Sequence, residues 1–339
     1  MRLGFACTVL GIDVPAHDAR RAQNGPHLCT SLDYVRRILR YAAGQGIHMY
    51  RLSSNIAPYY TDPKRPQFGG QLDEARSDLA ATGALARALD IRLSSHPGQY
   101  TVLNSPDPAI HAAALRELHY HTDVLDLMGQ PPSNKVILHV GGVYGDKPSA
   151  LARFIARYRD LPEAIRARLV IENDDRLFSV GDVLQIHAAT GVPVVFDNLH
   201  HALNPTPALD ERAALSAALA TWPAGQTPKI HYSDRKTEPT AVRVKGKPPR
   251  LQAPSRGAHA DYVDPAGFVA FLRAAGGLGD FDVMFEAKAK DQAVLRIMRY
   301  LAEQGISFEG TPCVIAQDEE AAIPAGRGAG CPGAAHHGK

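Results

Sequence analysis

Eight times along this chain a short run of Val, Ile and Leu precedes a longer amphipathic stretch, and few folds accommodate that alternation. The short runs are residues 3–10, 47–52, 91–95, 136–140, 169–171, 194–196, 229–232 and 281–285. Their length and near-continuous apolarity predict strands buried on both faces. Helical spacing follows in residues 32–43, 72–88, 109–128, 150–157, 180–189, 210–220, 265–275 and 292–303. Thr30 or Ser31 can cap the first helix, and Gly44, Gly129 and Gly305 stand where left-handed C-caps fall. Alternating units of this kind imply a parallel sheet with right-handed crossovers. Eight of them in about 300 residues fit an α/β fold, a single (β/α)8 TIM barrel. A doubly wound open sheet is the competing arrangement. The chain contains neither G-x-G-x-x-G nor G-x-x-x-x-G-K-[ST], so no nucleotide cofactor is expected. The barrel is assigned to residues 1–310. Residues 311–339 are rich in Ala, Gly and Pro without a period and are expected to be a disordered tail.

Composition narrows the classes. Thirty-seven Lys and Arg against 35 Asp and Glu leave a net charge of +2, which neither requires nor excludes nucleic acid, because a basic face can hide inside a neutral total. The apolar fraction of 45% supplies a core. Cys7, Cys29, Cys313 and Cys331 form no C-x-x-C pair, which excludes a zinc ribbon and fits buried, inert thiols in a reducing compartment. No apolar run approaches the ~18 residues of a membrane span. A cytoplasmic monomer is expected. The 15 His are the unusual component, since His is both the commonest metal ligand and a general acid or base.

Their placement carries the argument. Catalytic groups of a TIM barrel sit at the C-terminal ends of its strands. Strand three ends in Ser95-His96-Pro97-Gly98, strand four in His139, strand five in Glu172-Asn173-Asp174-Asp175, and strand six in Asp197-Asn198-Leu199-His200-His201. Strand seven carries Lys229 and His231 on one face, and strand eight ends in Glu286-Ala287-Lys288. One such His is ordinarily a satisfied core or surface residue. Six converging strand ends are different, because burying so many charges is costly unless cations neutralise them. Mixed imidazole and carboxylate ligands suit Zn, Mn or Fe, and their number suits two or three ions. Multi-metal sites of this kind serve phosphodiester hydrolysis. Two other readings compete: a metal-dependent sugar isomerase or epimerase, which needs fewer ligands and a deep closed pocket, and a nucleic-acid-binding module that uses only a basic loop. That loop, residues 234–258, carries from Arg235 to Arg256 the cations Arg235, Lys236, Arg243, Lys245, Lys247, Arg250 and Arg256 against a lone Glu238. The binding-module reading leaves the strand-end cluster unexplained.

The wording at these positions resembles a known family. Arg51-Leu52-Ser53-Ser54, Ser95-His96-Pro97-Gly98-Gln99-Tyr100, Ser105-Pro106-Asp107-Pro108, His139-Val140-Gly141-Gly142-Val143-Tyr144-Gly145, Leu169-Val170-Ile171-Glu172-Asn173-Asp174-Asp175, Phe196-Asp197-Asn198-Leu199-His200-His201 and His259-Ala260-Asp261-Tyr262-Val263 are similar to the UV damage endonucleases. The resemblance spans residues 3–303. It implies a TIM barrel with a manganese cluster, zinc and magnesium being the alternatives, that incises damaged double-stranded DNA immediately 5′ to a lesion. The lesions implied are cyclobutane pyrimidine dimers, 6-4 photoproducts and abasic sites, and the products a 3′-hydroxyl and a 5′-phosphate. An endonuclease IV-like enzyme specific for abasic sites is the runner-up.

By motif, the resemblance assigns metal binding to His96, His139, Glu172, Asp197, His200, His231, His259 and Glu286. It places Lys229, Glu172 and His231 at the chemistry, with Lys229 as a carboxylated lysine. Carbamate formation turns a cation that would repel metals into an anionic ligand; a lysine paired with Glu172 or Glu286 is the plainer reading. Gln99 and Tyr100 match the pair that probes the lesion, and Arg235, Lys236, Arg243, Lys245 and Lys247 are candidate phosphate contacts. Two departures stand out. Thr61-Asp62-Pro63 replaces a His-Pro of the family, so Asp62 either substitutes for a metal ligand or that ligand is lost. A Tyr and an Asn near the site in some members appear here as Phe5 and Val9.

Overall fold

The structure, a computed structural model, describes residues 1–242 and 250–306. Ten strands are present among these residues: β1 (Leu3–Ala6), β2 (Met49–Arg51), β3 (Arg92–Ser94), β4 (Val136–His139), β5 (Leu169–Glu172), β6 (Val194–Val195), β7 (Lys229–Tyr232), β8 (Thr240–Val242), β9 (Arg250–Gln252) and β10 (Asp282–Phe285). The helices are α1 (Leu28–Gly44), α2 (Gln71–Glu74), α3 (Arg76–Ala88), α4 (Pro108–Leu127), α5 (Lys147–Arg159), α6 (Glu163–Arg168), α7 (Val180–Thr190), α8 (Asn198–Leu203), α9 (Glu211–Leu219), α10 (Pro265–Ala274) and α11 (Lys290–Glu303).

Five parallel strands pair in the order β3-β2-β1-β10-β7, and three more in the order β4-β5-β6. Two single parallel bridges, Ser95 with Val136 and Asp197 with His231, join the two sheets edge to edge. The result is a closed eight-strand parallel barrel, as the alternating pattern predicts.

Side-chain alternation divides the strand residues into two populations. Phe5, Tyr50, Leu93, Leu138, Ile171, Val194, Ile230 and Phe285 join the large apolar cluster shared with the helices. The residues between them face the barrel axis. There only two small apolar groups form, Ala6 with Met49 and Met284, and Ile137 with Val170, Val195 and Trp222. The rest of the interior is polar. Near its N-terminal end Arg92 pairs with Asp282 at 2.8 Å, both buried. Gly4 serves the crowding within: a Cβ there would lie 2.3 Å from the Met49 carbonyl oxygen.

Several boundaries differ from expectation. The first helix begins at Leu28 with His27 as its cap, rather than Thr30 or Ser31, because extended His27 turns its Nδ1 to accept the Cys29 N–H at 3.1 Å. The stretch 72–88 is two helices broken at Ala75. The first strand stops at Ala6, where Cys7 takes a left-handed φ of 62°. Cys7 and Cys29 are half-buried rather than buried. The basic segment 234–258 contains an antiparallel hairpin, β8 with β9. Arg243, Lys245, Lys247, Cys313, Cys331 and the tail at 311–339 lie outside the described residues. Among the described residues, no helix is long and apolar enough to cross a membrane.

The loop after β1 hangs on one buried carboxylate. Asp291 accepts the Leu10 N–H at 2.7 Å, the Gly11 N–H at 3.0 Å and the Tyr41 hydroxyl at 2.9 Å. Asp291→Ala strips these three donors, and the Gln292 side-chain amide as a fourth, of their acceptor and should destabilise the fold by about 2–3 kcal/mol. Denaturant titration measures this; a loss under about 0.5 kcal/mol would place the loop's anchorage elsewhere.

Candidate metal centre and active site

Inward alternation and strand ends together assemble the site. Glu172, the last residue of β5, is 1% exposed and lies at its hub. Its Oε2 is 3.2 Å from His96 Nε2 and 3.8 Å from His139 Nε2; its Oε1 is 3.0 Å from His231 Nδ1 and 3.3 Å from His200 Nδ1. Glu286, just beyond β10, lies 3.5 Å from His231 Nδ1 and 3.7 Å from His259 Nδ1. Asp197 is fully buried. Its Oδ1 accepts the His200 N–H at 2.8 Å, capping α8 and turning that helix's first residues toward the axis.

The buried charges of the cluster act strongly on one another. Burial pushes the Glu172 carboxyl up, but His231, His139 and His200 outweigh it and hold the group well below the usual carboxylate range. Burial raises Asp197 to about 7, with Glu172 and Glu286 adding to it against His200 and His231. Burial lowers His96 to about 4. His200 runs the other way: burial lowers it, yet Asp197 and Glu172 carry it up to about 11.

The donor set fits divalent cations on a direct structural observation. Buried polar atoms crowd the site without hydrogen-bond partners: Glu172 Oε1, Asp197 Oδ2, His139 Nδ1, both ring nitrogens of His231 and Lys229 Nζ. Polar atoms buried this deeply ordinarily find partners. Three groups place ligand atoms within 4.8 Å of one another: His96, His139 and Glu172; Glu172, Asp197 and His200; Asp197, His231 and Glu286. Neutral imidazole and carboxylate are the ligands of Mn, Fe and Zn.

Seven of the metal-ligand candidates therefore come together: His96, His139, Glu172, Asp197, His200, His231 and Glu286. His259 stands at the margin, its ring 6.2 Å from that of His200 and its Nδ1 2.7 Å from the Glu286 carbonyl oxygen. It reaches there because 234–236 and 258–260 pair back on each other, through Lys236 N–H to Ala258 O and Ala260 N–H to Asp234 O. Asp62 is in none of the three groups. Its carboxylate accepts the Lys64 N–H at 2.9 Å and pairs with Arg65. His201 is buried against the Phe196 ring instead.

Lys229 is 1% exposed and forms no ion pair with Glu172 or Glu286. Burial first, then the nearby Arg92 and Arg51 guanidinium groups, hold its amine far below the usual lysine range. Arg51 is the residue that pattern reading missed. Its Nη1 meets Glu286 Oε1 at 2.5 Å inside the cluster. Only the inward register of Met49 and Arg51 on β2 could have signalled it.

Beside the cluster runs a groove of about 300 Å³ lined by His96, Gln99, Val102, His139, Arg176, Leu177 and His200 among others. Gln99 lines this groove and is exposed, and Tyr100, next in sequence, is 83% exposed. Arg235 is exposed and Lys236 half-buried beside it in sequence, 3.9 Å from Asp261.

Comparison with known proteins agrees with this geometry. Residues 23–311 match the family described as UV-endonuclease UvdE. The UV DNA damage endonuclease of Bacillus velezensis is 37% identical over 274 residues, 80% of each chain. That of Clostridium perfringens is 29% identical over 313 residues, 89% of this chain and 71% of its own. The crystal structure of SacUVDE superposes with a TM-score of 0.76 at 32% identity, over 91% of this chain and all of the other. A 3-keto-D-glucoside 4-epimerase from E. coli shares the fold alone, with a TM-score of 0.53 at 11% identity over 89% of this chain and 99% of its own. A barrel with this cluster at its mouth, matched over most of its length, belongs to the UV-endonuclease UvdE family.

Proposed function

We propose that this protein is a metal-dependent UV damage endonuclease, whose residues 1–310 act as one catalytic barrel on damaged double-stranded DNA. The observation that carries this reading is the convergence of seven imidazole and carboxylate groups around Glu172, itself one of them, beside a groove lined by exposed Gln99 with exposed Tyr100 next to it in sequence. Incision falls immediately 5′ to cyclobutane dimers, 6-4 photoproducts and abasic sites, leaving a 3′-hydroxyl and a 5′-phosphate. Two or three manganese ions are the proposed cofactor, held by the three groups with His259 at their edge. Bound there, they supply positive charge to the phosphodiester and lower the pKa of water.

The protein's own groups do the rest. Lowered His96 is neutral at pH 7, the form in which imidazole coordinates. Arg51 fixes Glu286 in place. Lys229 is buried with its amine held far below the usual lysine range; in its neutral form it would offer its lone pair to carbon dioxide, the N–C bond forming as a proton leaves, to give a carbamate that could hold a metal. Gln99 can hydrogen-bond exposed base edges and Tyr100 can stack where damaged nucleotides leave the helix. Damage lowers the cost of unstacking, which supplies selectivity without a sequence code. Arg235 and Lys236, with Arg243, Lys245 and Lys247 further along the same segment, bind phosphates. Affinity should therefore fall with salt.

Three outcomes test this. With manganese, the protein should cut a duplex 5′ of a single cyclobutane dimer and of an abasic site. Cutting only the abasic duplex would favour an endonuclease IV-like enzyme, and sugar turnover without cutting an isomerase. Glu172→Gln should lower incision by at least about 100-fold and reduce bound metal, since it removes a shared ligand of two groups. Tyr100→Ala should narrow the preference for damaged over intact duplex roughly tenfold with bound metal unchanged; an unaltered preference would sink the probing role.

A further inference from the structure

Tyr144 occupies an unusual position that the metal chemistry does not require. It lies on the loop after β4, 47% exposed, with a left-handed φ of 51°. Bulky residues rarely adopt that conformation, and the strain persists only where surrounding structure enforces it. The enforcement is visible. Buried Asn104 holds Gly142 from both sides, its Nδ2 donating to the Gly142 carbonyl at 2.9 Å and its Oδ1 accepting the Gly142 N–H at 3.2 Å. The Tyr144 side chain packs directly over Gly142: a Cβ there would come within 2.9–3.3 Å of two ring carbons and the hydroxyl oxygen. Arg153 donates from Nε to the Asn104 carbonyl at 2.8 Å and sets its guanidinium 5.6 Å from the ring centroid. Arg157, one turn on, secures the same segment through the carbonyls of Leu103 and Ser105. The ring is thus held rigid from behind, backed by a cation, and open to solvent in front. Gly141, three residues earlier on the same loop, lines the groove beside the metal centre.

We propose that Tyr144 is a stacking platform for an unpaired nucleobase of the bound DNA, a second aromatic contact one loop along from Tyr100. The proposal rests on the nuclease reading above. A rigid aromatic face loses little freedom when a base settles on it, and every base offers a π-face, so the contact adds affinity without sequence preference. Backbone strain is the second mark of a binding role, because a position serving stability alone would favour Gly or Asn.

The test uses the full-length protein with manganese and a duplex carrying one abasic site, with 2-aminopurine at each neighbouring position in turn. Tyr144→Ala and Tyr144→Asn should raise KM roughly tenfold and abolish fluorescence quenching at one position, while kcat and bound metal stay within about twofold and Tyr144→Phe retains all of it. Tyr144→Asn, which tolerates the left-handed backbone, should also unfold at an equal or higher temperature than the parent. KM and quenching unchanged in Tyr144→Ala and Tyr144→Asn would overturn the platform, as would a joint loss of thermal stability and affinity in both. Quenching needs no turnover. A protein that quenches but never cuts would therefore overturn the nuclease reading and leave the platform standing.

Discussion

Glu172 is a carboxylate with almost no exposure and four imidazoles within 3.8 Å. An ion in so dry a place persists only where opposite charge surrounds it. The other features of the mouth answer that requirement. Histidines from the strands on either side close in on it, Asp197 caps the helix that delivers His200, and Arg51 balances Glu286. The barrel accordingly keeps most of its apolar residues for the outside of the sheet, where the helices pack, and gives its mouth to charge, with two small apolar groups on the axis.

That division explains what the sequence reveals. Outward residues are apolar at every second position, and short runs such as Val136–His139 announce strands whether or not their partners are known. Ligands at strand ends follow from the same reading, because a (β/α)8 barrel brings all its strand ends to one face. The bend of His27 into a cap, by contrast, depends on a local backbone turn that Thr30 and Ser31 imitate. His259 needs the return of 258–260 onto 234–236, a pairing set by tertiary contact. Arg51 hides because an arginine inside a strand pattern resembles a surface residue until its register is known. Asp62 illustrates the converse: a carboxylate at a family ligand position is drawn into a local turn with Lys64 and Arg65.

The fold alone would not decide the chemistry. A 3-keto-D-glucoside 4-epimerase shares this barrel at 11% identity, so the side chains at the strand ends, here seven imidazoles and carboxylates beside an open groove, carry the functional reading. Rigidity matters as much as composition. Asn104 and Arg153 fix the loop after β4, and Asp291 fixes the loop after β1, so these loops are set by hydrogen bonds rather than left as loose chain.

The barrel closes unevenly. Three strands form one hydrogen-bonded stave group and five another, and each of the two joints between them is a single bridge, at Ser95 and at Asp197. Two of the three ligand groups lie across those joints. His96 belongs to one side and His139 with Glu172 to the other; Asp197 belongs to one side and His231 with Glu286 to the other. An ion in either group would act as a hoop, tying staves that the backbone itself joins only lightly. Loading the centre would then tighten the barrel where its ladder is thinnest and leave the loaded protein mechanically stiffer than the one awaiting its metal.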